Sequence, residues 1–559
     1  MDAASTAGCG AIRSGDRDGC AACLQFIRTG LWLFARLVPA PDQELGVSGT
    51  TAWERLGCHL HQTRLLGSIQ STLYWDQNTR MPSGGAAWRG EQLTLLARQL
   101  HQRQSSPDYA ALIAEARADW EQQVSAGDLR ANDRLEQGRN LDLLELDLRR
   151  QQRQDPELVA ALATAKAEGY DRWQQARTDS DFSLFAPALR RLISLRQEQA
   201  RQLDEPRGCW ETLAQPFEPD LRLDRLLELF APLRKRLPEL LDQVQAAPRP
   251  PHLSWDLSSL QQQRLCDQLL KEWGREPAIS CVAESPHPFS ITLGPRDFRL
   301  TTRVVPGQPL SCFLATAHEW GHSLYEQGLP TASHQWFAWP LGQATSMAVH
   351  ESQSLFWENR VARSAPFAEH WWQRFRAEGA PLASASELWR AMNPVTPGTN
   401  RVESDELSYG LHIMIRTDLE LALLEQSLPV EDLPSEWNRR YRELLGVVPM
   451  NDAEGCLQDV HWSEGLFGYF PSYLLGHLVS AQLSEAMQAS IGAPEHHIAR
   501  GDVSPLLGWL REHVHPVGRA LNAEELVEKV SGQPLSSAPF LAYLEAKLAR
   551  LESAERPVA

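Results

Sequence analysis

The stretch Thr316-Ala317-His318-Glu319-Trp320-Gly321-His322-Ser323-Leu324-Tyr325 constrains this chain more than any other. It contains no proline and reads as helix. On a helix, positions i and i+4 share a face and lie about 6 Å apart along the axis. His318 and His322 can therefore offer imidazole nitrogens to one metal ion at roughly 2.0–2.1 Å each. Glu319 is displaced around the helix, poorly placed as a ligand but able to hold a metal-bound water and take its proton. Two surface histidines beside a solvated glutamate would give the same letters. Trp320 and the small Gly321 argue for a buried helix instead.

A catalytic site needs a third ligand, and two glutamates compete for the role. Glu326 continues the same helix, but eight residues beyond His318 places it about 12 Å up the axis, too far to converge. Glu351 lies in Ser346-Met347-Ala348-Val349-His350-Glu351-Ser352-Gln353, a segment apolar at helical spacing that nevertheless carries a charged pair. A charge embedded in a buried helix needs a partner, and a metal is one. Two histidines and a glutamate from a second helix, with the fourth position open, make a catalytic zinc arrangement. Glu351 is the expected third ligand and zinc the expected metal, with cobalt or manganese able to substitute.

The chain has 559 residues, 43% of them hydrophobic, enough for a large core. Its net charge of −17 argues against nucleic acid and anionic membranes as partners. Nine irregularly spaced cysteines fit reduced thiols and a cytoplasmic setting better than a disulfide framework. Cys20-Ala-Ala-Cys23 is a lone C-x-x-C. Residues 24–38 are apolar but broken by Arg28 and Arg36, and too short to span a bilayer. Residues 1–50 are read as a disordered N-terminal extension and 51–559 as a single helical domain, without repeats or linkers.

Within that domain, helices are expected from Thr51 to the Tyr74–Pro82 stop, from Gly85 to Gln104, and as about four antiparallel helices between Asp108 and Glu205. Two more follow near 223–246 and 257–273. β-branched residues between Ala278 and Val305, interrupted by Gly294-Pro295, predict a hairpin or small sheet just ahead of the His318–His322 helix. Such a sheet suits an extended peptide. Helix resumes after Glu351 to about Ala377, and another is expected from Arg401 to about Gln426.

Six ordered stretches resemble the carboxypeptidase Taq family of zinc metallocarboxypeptidases: His287-Pro288-Phe289; Asp297-x-Arg299-x-Thr301; the His318–His322 helix; His350-Glu351-Ser352-Gln353; Arg401-x-x-Ser404-Asp405; and Gly455-x-x-Gln458-Asp459-x-His461-Trp462. Asn400 and Ser404 depart from that family's usual isoleucine and alanine. The resemblance implies a mainly helical, two-lobed saddle with a deep groove, similar to angiotensin-converting enzyme and neurolysin. It implies a homodimer that removes single C-terminal residues with broad specificity, poorly beside proline. A dipeptidyl carboxypeptidase or oligo-endopeptidase on the same fold is the alternative, and a non-catalytic peptide-binding protein a more distant one, since binding alone has no use for Glu319.

Roles follow from what such a reaction requires. Glu319 serves as general base. The oxyanion needs donors besides the metal, and His461 and Tyr469, on Gly-flanked loops, are candidates. The substrate carboxylate needs a cation: Arg401 is favoured as a two-pronged partner, with Arg416 second to it. Tyr473, His287 and His350 complete the substrate-binding candidates, while Asp297 and Arg299 are read as buttressing the sheet.

Overall fold

The computed structural model describes residues 51–246, 255–330 and 336–554. The extension 1–50, with its C-x-x-C pair and the 24–38 apolar run, lies outside them. Six helices open the described chain: Ala52–Thr79, Ala86–Ser105, Pro107–Ala126, Ala131–Gln152, Pro156–Asp179 and Ala186–Leu203. Their boundaries follow from side-chain chemistry. Ser106 accepts a bond from the Tyr109 amide with Pro107 at the first helical position, and Gly127 closes that helix in the left-handed region at φ 78°. The described residues from Ala52 onward group as one unit. Among them no helix is long and apolar enough to cross a membrane.

Two hydrophobic cores form. The smaller joins Leu56, Ile113, Leu141 and Leu144 of the first helices to Trp339. The larger takes in everything from Trp173 onward, including the helix Ser311–Gly328 that carries His318 and His322. Trp273, Trp320, Trp357, Trp371 and Trp437 are fully buried there. Burying so many indoles requires partners for their N–H groups. Trp320 donates to the Trp273 carbonyl at 3.2 Å and so anchors the His318–His322 helix from behind.

The expected sheet has three strands, β1 (Ser280–Glu284), β2 (Ser290–Gly294) and β3 (Asp297–Thr302), in the order β1-β3-β2. β2 and β3 form the hairpin around Gly294-Pro295, and β1 adds in parallel. Asp297 and Arg299 pair with each other at 2.7 Å on β3. The sheet is fastened to the metal-carrying helix through Thr302, which donates to the Cys312 carbonyl at 3.2 Å and accepts from Thr316.

Two segments differ from expectation. The helix after Glu351 is not uniform: Met347–Leu355 is α-helical, Phe356–Ala362 is π-helical, and Ala365–Ala377 follows. The helix expected from Arg401 begins at Glu406. Asp405 is the reason: its carboxylate accepts from the Leu407, Ser408 and Thr396 amides and the Ser408 hydroxyl, a strong N-cap. Arg401 therefore stands in the turn before the helix rather than opening it.

Candidate metal centre and active site

Two glycines allow three helices to stack closely. A Cβ on Gly321 would lie 2.7 Å from the Ser354 Cα, and one on Gly476 would lie 2.9 Å from Glu351. The Met347–Leu355 helix is thus pressed between Ser311–Gly328 and Pro471–Ile491. That contact brings Glu351 Oε2 to 3.8 Å from His318 Nε2 and 3.5 Å from His322 Nε2. All three ligand atoms lie within 4.8 Å of one another, as expected from the sequence.

The remaining ring nitrogens settle the tautomers. His318 Nδ1–H donates to Glu358 Oε2 at 2.9 Å, and Glu358 is itself held by Arg363 at 2.8 Å. His350 Nε2–H donates to Glu326 Oε1 at 3.0 Å, which leaves His350 Nδ1 as an acceptor. His322 Nδ1–H then donates to that nitrogen at 2.7 Å and to the His350 carbonyl at 3.1 Å. Both Nε2 lone pairs are therefore free and aimed at Glu351. His350 orients His322 and is not a ligand. Glu326 is occupied by His350 and Thr292 and takes no part in the ligand set.

The donor set fits a divalent metal ion. Burial opposes charge on Glu351 and Glu358, yet His318, and Arg363 beside Glu358, hold both carboxyls down at about 2. Burial likewise opposes charge on His318, but these two carboxylates raise it to about 10, while burial and the adjacent His350 take His322 down to about 4. The pocket thus holds a positive charge where a cation would sit. Burial, with Glu351 adding to it and His318 opposing, pushes Glu319 up to about 7. That suits a base working near neutrality.

A family profile, carboxypeptidase Taq (M32) metallopeptidase, matches residues 55–548. The chain belongs to that family. Thermostable carboxypeptidase 1 of Thermus thermophilus is 37% identical over 516 residues, 89% of this chain and 99% of the relative. Carboxypeptidase 1 of Bacillus subtilis is 33% identical, over 86% of this chain and 94% of its own length. Among solved structures, the M32 carboxypeptidase of Deinococcus radiodurans matches with a TM-score of 0.83 at 33% identity, over 90% of this chain and 99% of that one. Trypanosoma cruzi metallocarboxypeptidase 1 matches at 0.82 and 30%, over 89% and 99%. The chain is a mainly helical metallocarboxypeptidase with a small sheet against its metal-carrying helix, as the sequence led us to expect.

The M32 site has a second cluster beside the metal ligands. Asp459 lies between two guanidinium groups, at 2.9 Å from Arg401 and 2.6 Å from Arg416. Arg401 also donates to the Tyr409 hydroxyl at 3.1 Å and stacks over Tyr473, with its Cζ 5.1 Å from the ring centre. His461 Nε2 lies 3.4 Å from the Tyr473 hydroxyl, and its ring is 5.3 Å from that of Tyr469. Burial and the two arginines, against Asp459, lower His461 to about 4, so its imidazole is neutral. Its Nδ1 is buried without a partner, because Asp459 is committed to the arginines. Burial raises Tyr409, Tyr469 and Tyr473, and the Glu351 carboxylate adds to each, which places all three beside the metal ligands.

Arg416 requires correction as a substrate-binding candidate. It is fully buried, bonded to Asp459, Gln458, the Tyr441 hydroxyl and the His412 carbonyl, and it braces Asp459 instead of facing a peptide. His287 is exposed on the β1–β2 loop; among the described residues no hydrogen bond or ion pair ties its ring to the cluster. Asn400 and Ser404 both serve the Arg401 turn, Asn400 accepting from the Val402 amide at 3.0 Å and Ser404 donating to the Arg401 carbonyl at 2.7 Å. Sequence reading missed Glu358 and Tyr409. Glu358 could have been found as an acidic residue seven positions, or two turns, beyond Glu351. Tyr409 carries no comparable signal.

Proposed function

We propose that the chain is a zinc-dependent carboxypeptidase that removes single C-terminal residues from peptides. The observation that carries this reading is the charge count at Arg401, Asp459 and Arg416. Two guanidinium groups share one carboxylate, leaving one positive charge in excess within a buried cluster beside the metal ligands. Arg416 is sealed, so the excess is available at Arg401. A guanidinium has five N–H groups, and Asp459 and Tyr409 take three of those on Arg401. The rest suit the free carboxylate of a peptide terminus.

When bound, the metal would polarise the scissile carbonyl and lower the pKa of a coordinated water toward about 7. Glu319 takes the proton of the attacking water and passes it to the leaving amine. Neutral His461, with Tyr469 and Tyr473 around it, supplies N–H and O–H donors toward the oxygen that gains charge. Arg401 fixes the peptide end, so the bond presented to the centre is the last one. Broad residue preference, weak action beside proline, a homodimeric state and a cytoplasmic setting belong to the same reading. The six described cysteines, all free thiols, support the last of these.

Amidating the peptide C-terminus tests the proposal. It removes the partner of Arg401 and is expected to lower kcat/KM by roughly 2–5 kcal/mol, the scale of stranding one member of a buried charge pair. Arg401→Ala should cut free acid and amide slowly and about equally. Equal rates on both substrates with the unmodified enzyme would favour an endopeptidase, and release of dipeptides a dipeptidyl carboxypeptidase.

A further inference from the structure

A cavity of about 460 Å³ borders the helix Ala52–Thr79, lined in part by His59, Arg64, Asp147, Arg150, Gln343 and Arg519. Two of its three arginines are satisfied: Arg519 donates to both oxygens of Asp147, at 2.9 and 3.1 Å, and Arg150 to Glu205 at 2.8 Å. Arg64 differs. Among the described residues it forms no ion pair, its Nε is buried without an acceptor, and its Cζ rests 4.5 Å over the Phe337 ring. Burial pulls this guanidinium below its usual value, eased only by the charge of Glu326. A cation so placed at a cavity wall lacks the anion that normally accompanies burial.

Its position relates it to catalysis. Arg64 is one helical turn before Ser68, whose hydroxyl donates to the Leu293 carbonyl on β2. The neighbouring Thr292 donates to Glu326, which holds His350 against His322. The cavity rim also includes Pro216, next to Phe217, whose ring meets Tyr469 at 4.9 Å. Arg64 thus approaches the centre from the β2 and Glu326 side, whereas Arg401 approaches it through Tyr409 and Tyr473 beside Glu351. A peptide anchored by its terminus at Arg401 runs its preceding residues away from that arginine.

We propose that this cavity is a specificity subsite for an acidic side chain N-terminal to the scissile bond, with Arg64 recognising its carboxylate. This rests on Arg401 being the anchor for the peptide terminus. Glutamate would pair with Arg64, whereas the isosteric glutamine would leave the cation unneutralised.

The test uses a peptide series carrying Glu or Gln at each of the first few positions before the scissile bond, as free acids and as amides. The readout is the Glu-to-Gln ratio of kcat/KM, which general damage to folding or metal binding does not move. At one position the wild-type enzyme is expected to prefer Glu by about 10-fold, the scale of a hydrogen bond to a charged partner. Arg64→Gln should bring that ratio close to unity, with Arg64→Lys intermediate. A ratio near one at every position in the wild type, or a preference that survives in Arg64→Gln, overturns the proposal. Free acid and amide cleaved equally, with the Glu preference intact, would remove Arg401 as anchor and leave the acidic subsite standing.

Discussion

At the scale of single residues, Glu319 and Glu358 touch the same histidine neighbourhood but do different work, and substitution should separate them. Glu319→Gln keeps shape and cannot accept a proton. Metal content should be retained while kcat falls by about 10²–10⁴-fold, the usual range for general acid–base catalysis. Glu358→Ala removes the acceptor at His318 Nδ1 and is expected to weaken metal binding by about 10–100-fold, as loss of a partner behind a ligand commonly does. Titrating both variants with metal and measuring turnover at saturation distinguishes them. A Glu319→Gln enzyme that keeps its turnover would mean that another group takes the proton. The ligands themselves were legible because helical spacing and imidazole chemistry are local properties. Arg416 was not, because nothing local announces that a charged residue on a largely apolar helix will share a distant Asp459 and be buried with it.

At the scale of elements, Glu420 stitches the Glu406–Leu424 helix to the loop that presents His461 and Tyr469. Its carboxylate accepts from the Trp210 indole at 3.1 Å, the Trp462 indole at 3.0 Å and the Gly468 amide at 2.9 Å. Burial pushes it up to about 7 from the ordinary 4.5 despite these donors. The folded chain therefore binds this proton more tightly than the unfolded one between those values. Its contribution to stability should be fully present below pH 4.5, decline by about 1.4 kcal/mol per pH unit as pH rises toward 7, and level off above. Glu420→Gln should flatten that slope in denaturant titrations, and should itself destabilise by about 1–3 kcal/mol, since its amide must face an indole or amide N–H. An unchanged slope would place the proton elsewhere. Periodicity sufficed to foresee these helices, but not their ends. Arg401 read as the start of a helix because the strength of the Asp405 cap depends on the Thr396 amide, folded back from an earlier loop.

At the scale of the whole molecule, the metal ligands lie in only one of the two cores. Helices Ser311–Gly328 and Met347–Leu355 belong to the larger, and chelation removes the tie between them. Metal held at 1,000 times its Kd contributes about 4.1 kcal/mol to the state that binds it. Hydrogen exchange after chelation is expected to accelerate across 311–328 and 347–362 while 107–152, in the smaller core, keeps its protection. Equal loss in both would show that the cores unfold together. Helix content and the sheet could be read from pattern alone. The division into two cores could not, because Trp339 joins the first helices across nearly two hundred residues of chain.

The π-helical segment Phe356–Ala362 has one more implication. Its wider turn sets the angle at which Glu358 meets His318 and Arg363 meets Glu358, and such turns arise when a helix accommodates an extra residue. What this stretch preserves is therefore a count. Deleting any one residue between Phe356 and Ala362 would let the backbone relax to an ordinary helix and rotate Arg363 and all that follows by about a hundred degrees, a helix advancing 3.6 residues per turn. The deleted residue need not be one that touches the metal. Gene variants that change length here should abolish metal retention as completely as loss of a ligand, whereas equal deletions in the 379–384 connection should be tolerated, an asymmetry that a deletion scan would expose.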